Sequence, residues 1–159
     1  MARRLRSVDL DFVDSAPLRL VFVAEVSAPP DAVYRALADD VEGWPGWFTA
    51  VTAALPLDGG AGREVRLRGG LAFRETVVAT DPGERYAYRV DRSNAPGLRA
   101  LLEEWRLSPS GTGTQVRWTF AADGSPLFRF TLRRARPAVG RSFRDAVDNL
   151  DRRLSATAA

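Results

Sequence analysis

Two glutamates have the strongest claim to chemistry in this chain, because strand alternation sets both among aromatic residues. Between Glu84 and Asp91, Tyr86, Tyr88 and Val90 alternate with Arg85, Ala87 and Arg89. If the tyrosines point inward, a period of two assigns the neighbouring strands as well. It places Val65 and Leu67, then Phe73, Glu75 and Val77, then Leu101, Glu103, Trp105 and Leu107, then Val116, Trp118 and Phe120 on the same side. Arg66, Arg68, Arg74, Arg85, Arg89, Arg106 and Arg117 fall together on the opposite, solvated face. A carboxylate on an apolar face is costly unless it is paired or protonated. Glu75 and Glu103 are therefore candidates to hydrogen-bond the hydroxyl or carbonyl of a ligand, or to act as general acid or base with a raised pKa. The alternatives are a place near a strand end, pairing with arginine, or a bulge that flips the phase. Glu103 has the better claim, since Glu104 beside it fills the solvent side.

Around these two, Phe73, Leu101, Trp105 and Trp118 are candidate cavity walls, and Tyr86 and Tyr88 can both pack and offer a hydroxyl. Trp44 and Trp47 in Gly43-Trp-Pro-Gly-Trp-Phe48 either gate a pocket mouth or plug the end of the sheet. Phe143 and Val147 on the last helix would form the floor of a cavity if there is one, and ordinary core if not.

Composition removes most other chemistry. The 159 residues include neither cysteine nor histidine, and all 23 basic residues are arginine. Thiolate and imidazole nucleophiles, bases and metal ligands are excluded, as are Schiff-base and P-loop lysines. No metal or cofactor is expected. Asp145, Asp148 and Asp151 are too spread in angle around a helix to form a metal site, and the glycine pairs lie between strands, where they make turns rather than a dinucleotide loop. The formal charge is only +3, because 20 carboxylates oppose the arginines, so no nucleic-acid partner is expected. No apolar run approaches a membrane span, and Met-Ala-Arg-Arg-Leu-Arg is not a secretory signal, so a cytoplasmic protein is expected. Oligomeric state is not readable.

These residues need a sheet and a helix to hold them. Residues 1–17 read as an arm or edge strand, and 18–156 as a single domain. Leu18–Val26 is the first confident strand; Ser27-Ala-Pro-Pro-Asp31 starts a helix to about Asp40, and Gly43–Phe48 is a short helical turn or loop. Thr49–Leu55, Arg63–Arg68, Leu71–Thr80, Glu84–Asp91, Leu98–Leu107 and Thr114–Ala122 then form an antiparallel meander, with Gly69-Gly70 as a two-residue hairpin and Ser108–Gly113 as a turn. From Ser125 to about Ala156, Phe128, Leu132, Ala135, Val139, Phe143, Ala146, Val147, Leu150 and Leu154 mark one apolar stripe on a long helix. Ser125 is its N-cap, and Pro137 predicts a kink or break near Arg133–Pro137. Only this helix is long enough to cover a face of the sheet.

The order of elements, with three stretches of sequence, resembles the START-like superfamily of polyketide cyclase/dehydrase and lipid-transport proteins. The stretches are Val26-Ser-Ala-Pro-Pro-Asp-Ala-Val33 leading to Trp44-Pro-Gly-Trp47, then Glu104-Trp-Arg-Leu107 with Gly113-Thr-Gln-Val-Arg-Trp118, and the closing helix. The resemblance covers roughly residues 18–155. It implies an α+β helix-grip fold, a curved antiparallel sheet of six to seven strands wrapped around the C-terminal helix, with two short helices after the first strand and a cavity between sheet and helix. It also implies a hydrophobic ligand such as a lipid, sterol or polyketide. Some branches of the superfamily use histidine, which this chain lacks, so cyclase activity does not carry over residue by residue.

Three functions follow as expectations. The leading one is a carrier of a small hydrophobic molecule. The second is a cyclase, dehydratase or aromatase in which Glu103 and a tyrosine move protons. The third is a lipid-chaperone or interaction module that sets the arginine-rich final helix on an anionic surface, in peripheral contact with a membrane.

Overall fold

The computed structural model describes residues 1–158. Strand β1 (Arg3–Arg4) and helix α1 (Phe12–Ser15) precede β2 (Leu18–Val26), α2 (Pro30–Ala38) and a 3-10 segment, Val41–Gly46. The meander follows as β3 (Val51–Leu57), β4 (Gly62–Leu67), β5 (Ala72–Asp81), β6 (Arg85–Ser93), β7 (Leu98–Ser110) and β8 (Gly113–Gly124), and the chain closes with α3 (Pro126–Arg134) and α4 (Arg136–Ala158). All strand pairs are antiparallel, in the order β2-β8-β7-β6-β5-β4-β3, with β1 added beside β6.

Local sequence explains most boundaries. Pro30 occupies the first turn of α2, where its missing N–H is no loss. Pro45 keeps the next segment short, and the turn folds Trp44 inward, where its Nε1 donates to Leu37 O at 3.0 Å. Gly69 and Gly70 take φ of +87° and +88°, but the hairpin is not the two-residue one expected. Leu67 N donates to Leu71 O at 2.9 Å and Gly70 N to Leu67 O at 3.3 Å, which closes a loop of Arg68, Gly69 and Gly70.

A second turn differs from expectation. Ser108–Gly113 is not all turn, because Ser108, Pro109 and Ser110 stay paired with Gln115, Thr114 and Gly113. Pro109 is tolerated because its nitrogen faces the same side as that of Leu107, whose N–H goes to Glu84 O rather than to β8.

The concave face of the sheet carries the main core. Phe143, Ala146, Val147 and Leu150 of α4 are buried against it. Gly140 is where the helix comes closest to β2, since a Cβ there would lie 3.0 Å from the Phe22 ring. Polar contacts fix the helix in place. Asp151 Oδ1 accepts from Ser27 N and Oγ at 2.9 and 2.6 Å, and Asn149 Nδ2 donates to Trp47 O at 3.1 Å.

The C-terminal stripe divides into two helices at Ala135, inside the interval that Pro137 marked. Ser125 Oγ caps α3 by accepting from Phe128 N at 3.1 Å. Helix α3 buries no residue fully, and it leaves Leu127 and Phe130 exposed. No helix among the described residues is long and apolar enough to cross a membrane.

The outer face is not solvated throughout, which corrects the two-sided reading above. Val8, Phe12 and Val13 pack there against Ala100, Leu102 and Ala121. Glu104, assigned to solvent, is buried on that face beside Arg85 at 3.7 Å and Arg106 at 3.6 Å. The Ala100–Leu102 run is buried from both sides for this reason.

Candidate functional site

A cavity of about 190 Å³ lies between the sheet and the start of α4. It is on the order of the engineered cavities that accept one benzene ring, so it suits a single substituted ring rather than a long acyl chain. Trp44, Phe48, Phe73, Trp118 and Phe120 form its aromatic walls, Ala50, Val51, Val65 and Leu67 its aliphatic ones, and Val139 and Ser142 of α4 its helical side. Five polar side chains reach it: Arg63, Glu75, Tyr88 and Glu103 from the sheet, and Ser142 from α4.

Arg63 and Glu75 are directly opposed on β4 and β5, and both are buried. Arg63 Nε donates to Glu75 Oε1 at 2.7 Å. The guanidinium carbon lies 4.4 Å from the Trp44 ring centre and 4.0 Å from that of Tyr88, so the cation sits between two π faces. Burial works against the Arg63 charge, but the Glu75 carboxylate beside it opposes that effect, and the group is held above its ordinary range. Burial likewise pushes Glu75 up, and the arginine opposes that rise. Glu75 is the carboxylate in contact with this buried cation, and removing either would strand the other. Arg63 Nη1 is buried without a hydrogen-bond partner, the one such side-chain atom among the described residues.

Glu103 belongs to a chain of directed hydrogen bonds. Trp105 Nε1 donates to Tyr88 Oη at 3.1 Å, Tyr88 Oη donates to Glu103 Oε1 at 3.1 Å, and Trp118 Nε1 donates to the same oxygen at 3.0 Å. Indole N–H groups only donate, which fixes the two outer bonds, and the Tyr88 hydroxyl is the donor in the bond between them. Burial, with the Glu75 charge adding, raises the Glu103 pKa to about 8. At neutral pH it is therefore mostly protonated. Burial and Glu103 also hold the Tyr88 phenol well above its usual value, so it stays a donor.

The structure brings Trp44, Phe73, Glu75, Tyr88, Glu103 and Trp118 together on the cavity wall, and six other candidates lie behind it. Trp47 packs against Trp44, with ring centres 4.8 Å apart. Tyr86 meets Tyr34 edge-on. Trp105 supports Tyr88 from below, and Phe143 stacks on Trp118 and Phe22. Val147 is in the same core, whereas Leu101 belongs to a neighbouring cluster with Phe73, Val90 and Ala122. Helix α4 meets the cavity one turn earlier than expected, through Val139 and Ser142, because Phe143 and Val147 point at the sheet.

Arg63 is the functional side chain that the sequence reading did not single out. The signal was present, since Arg63 is in phase with Val65 and Leu67 and stands across from Glu75. No group of His, Cys, Asp and Glu among the described residues has the arrangement of a metal site.

Comparisons with known proteins agree with this fold. A family model described as polyketide cyclase / dehydrase and lipid transport matches residues 18–155. The chain is 27% identical over 150 residues to the uncharacterized protein Rv2574 of Mycobacterium tuberculosis, covering 91% of this chain and 89% of that one. Among solved structures it is similar to a START superfamily protein from Mycobacterium smegmatis, at 11% identity and a TM-score of 0.68, covering 87% of this chain and 98% of the other. It is also similar to TTHA0849 from Thermus thermophilus, at 22% identity and a TM-score of 0.67, covering 89% and 100%. At these identities the structural likeness concerns the fold alone.

Proposed function

The chain belongs to the polyketide cyclase/dehydrase and lipid-transport family, and from that premise we propose that it binds one small, largely apolar molecule in the cavity between sheet and α4. The observation that carries this reading is the cavity itself, a ring-sized space walled by six aromatic side chains, Tyr88 among them. A space of about 190 Å³ favours a compact ring over an extended lipid. Trp44, Phe73, Tyr88 and Trp118 are the contacts. Trp47, Tyr86, Leu101, Trp105, Phe143 and Val147 hold those contacts in place from behind.

The test is native mass spectrometry of the purified protein, followed by calorimetric titration with a panel of single-ring aromatics. Retained or titratable ring compounds with a stoichiometry of one support the proposal. A clean apo mass with no heat across the panel overturns it.

A second reading is favoured by one observation, a mostly protonated carboxylic acid in contact with the cavity. Glu103 is suited to give a proton to a bound ligand and Tyr88 to orient it, as an acid catalyst of dehydration or cyclisation does. Under this reading Glu103→Gln keeps ligand affinity but abolishes turnover of a bound substrate. A variant with unchanged turnover removes the catalytic reading and leaves the carrier.

A further inference from the structure

We infer that the molecule held in this cavity carries an acceptor oxygen, in the manner of a ring-bearing ketone or aldehyde, and that this oxygen takes the free hydrogens of Arg63 and Glu103. The inference rests on the proposal that the cavity binds a ligand, and it adds the ligand's polar chemistry.

Two independent features of the polar wall lead to it. The first is Arg63. Its Nε is used by Glu75, while Nη1 is buried with no partner. An unpaired N–H on a cation in a desolvated site costs more than an ordinary missed hydrogen bond. The atom belongs to a side chain that lines the cavity, so the remedy is an acceptor inside it.

The second is the direction of the hydrogen-bond chain. Tyr88 has a single hydroxyl hydrogen, which it gives to Glu103 Oε1, while its oxygen accepts from Trp105 Nε1. Trp118 gives a second hydrogen to the same oxygen. Oε1 is therefore an acceptor twice over, and the proton of the neutral acid belongs on Oε2, which takes no hydrogen bond from the described residues. Tyr88 joins the two features, with its ring 4.0 Å beneath the Arg63 guanidinium and its hydroxyl on Glu103.

Both free polar groups on the sheet side are thus donors, and the Ser142 hydroxyl on α4 can give or take a hydrogen bond. A hydrocarbon leaves them unpaired, and a carbonyl satisfies them. The Arg63–Glu75 pair is neutral in sum and Glu103 is mostly uncharged, so the ligand need carry no charge of its own. Ionisation of Glu103 removes its donor and puts a second carboxylate beside the acceptor oxygen, so affinity for such a ligand falls as pH rises through about 8.

The experiment is calorimetric titration of the full chain with acetophenone and with ethylbenzene, a pair of similar shape that differs in the oxygen, at pH 6.5 and at pH 9.5. The expected result is at least a ten-fold preference for acetophenone at pH 6.5, shrinking several-fold at pH 9.5. Glu103→Gln places an N–H donor where the acid proton was and does not titrate, so its preference is independent of pH. Glu103→Leu loses most of the preference. Equal affinities, or a preference that ignores pH in the unmodified chain, overturn this inference while leaving the pocket proposal standing. If neither compound binds, this inference fails, and the pocket proposal is decided separately by the apo mass and the wider panel.

Discussion

Glu103 and Trp118 meet on the concave face of the sheet, the indole Nε1 donating to the carboxyl Oε1 at 3.0 Å, while Tyr88 approaches the same oxygen from the other side at 3.1 Å. A carboxyl held this way is fixed in orientation before any ligand arrives, since both donors come from rigid strands. Its protonation state therefore affects both the stability of the protein and the character of its cavity.

The pH dependence of stability follows from the raised Glu103 pKa. The value rises from 4.5 in the unfolded chain to about 8 in the folded one, so between these limits the folded state holds more protons than the unfolded state. The stabilisation is complete below pH 4.5 and declines as pH rises to about 8. Glu75 is shifted in the same direction and adds to the slope. Urea unfolding across this window is expected to show falling stability, with a visibly flatter profile in Glu103→Gln. An identical profile in the variant contradicts the assignment.

Tyr88→Phe deletes the hydroxyl that links Trp105 to Glu103 without changing the ring beneath Arg63. Two buried groups lose a partner, so a loss of about 1–3 kcal/mol is expected. The Tyr88 bond also pulls the Glu103 pKa down, so the stability profile of Tyr88→Phe turns at a higher pH than that of the parent. Urea titrations at several pH values read both effects at once.

Arg63→Met leaves Glu75 buried and alone, and it is expected to cost about 3–5 kcal/mol. Replacing both, as Arg63→Met with Glu75→Leu, removes the stranded charge and recovers most of that loss. If the double variant is no more stable than the single one, the pair is held by interactions beyond its own charge balance.

On the outer face, Arg85, Arg106 and Arg117 stand directly opposite one another across β6, β7 and β8. Glu104 lies near the first two, but Arg117 has no carboxylate within ion-pair distance among the described residues. Like charges in register are destabilising, so Arg117→Glu is expected to raise stability by about 0.2–1 kcal/mol, an effect that salt reduces. Thermal unfolding at low and high ionic strength tests both parts.

Much of this site is legible because a strand has a period of two. With Tyr86 and Tyr88 turned inward, Glu103, Phe73 and Trp118 follow, and so does the anomaly of Glu75. The same rule extended one step back from Val65 reaches Arg63, but an arginine at the first residue of a strand carries no apolar signal to mark it as inward. Alternation also gives a side of the sheet and not a depth. Tyr88 and Trp105 share a face, yet Tyr88 lines the cavity and Trp105 lies beneath it, which depends on how α4 and the 3-10 segment fill the concavity. Val8 and Phe12 show apolar alternation without saying what they cover. The matching signal is on β7, where Ala100 and Leu102 make the outward positions apolar as well.

The pairing of β2 with β8 has a consequence for how the molecule is made. Leu18–Val26 is bound residue for residue to Thr114–Ala122, so the first long strand to emerge from a ribosome finds its partner only after the whole meander has been synthesised. Until then Leu20, Phe22 and Val26 are an apolar strand without a neighbour, the kind of segment that pairs with other chains. Sheet closure is a late, long-range event, and a topology of this type folds more slowly than a helical bundle of the same length. Helix α4, which covers the concave face, is made later still, so the main core stays open to water until that helix has emerged.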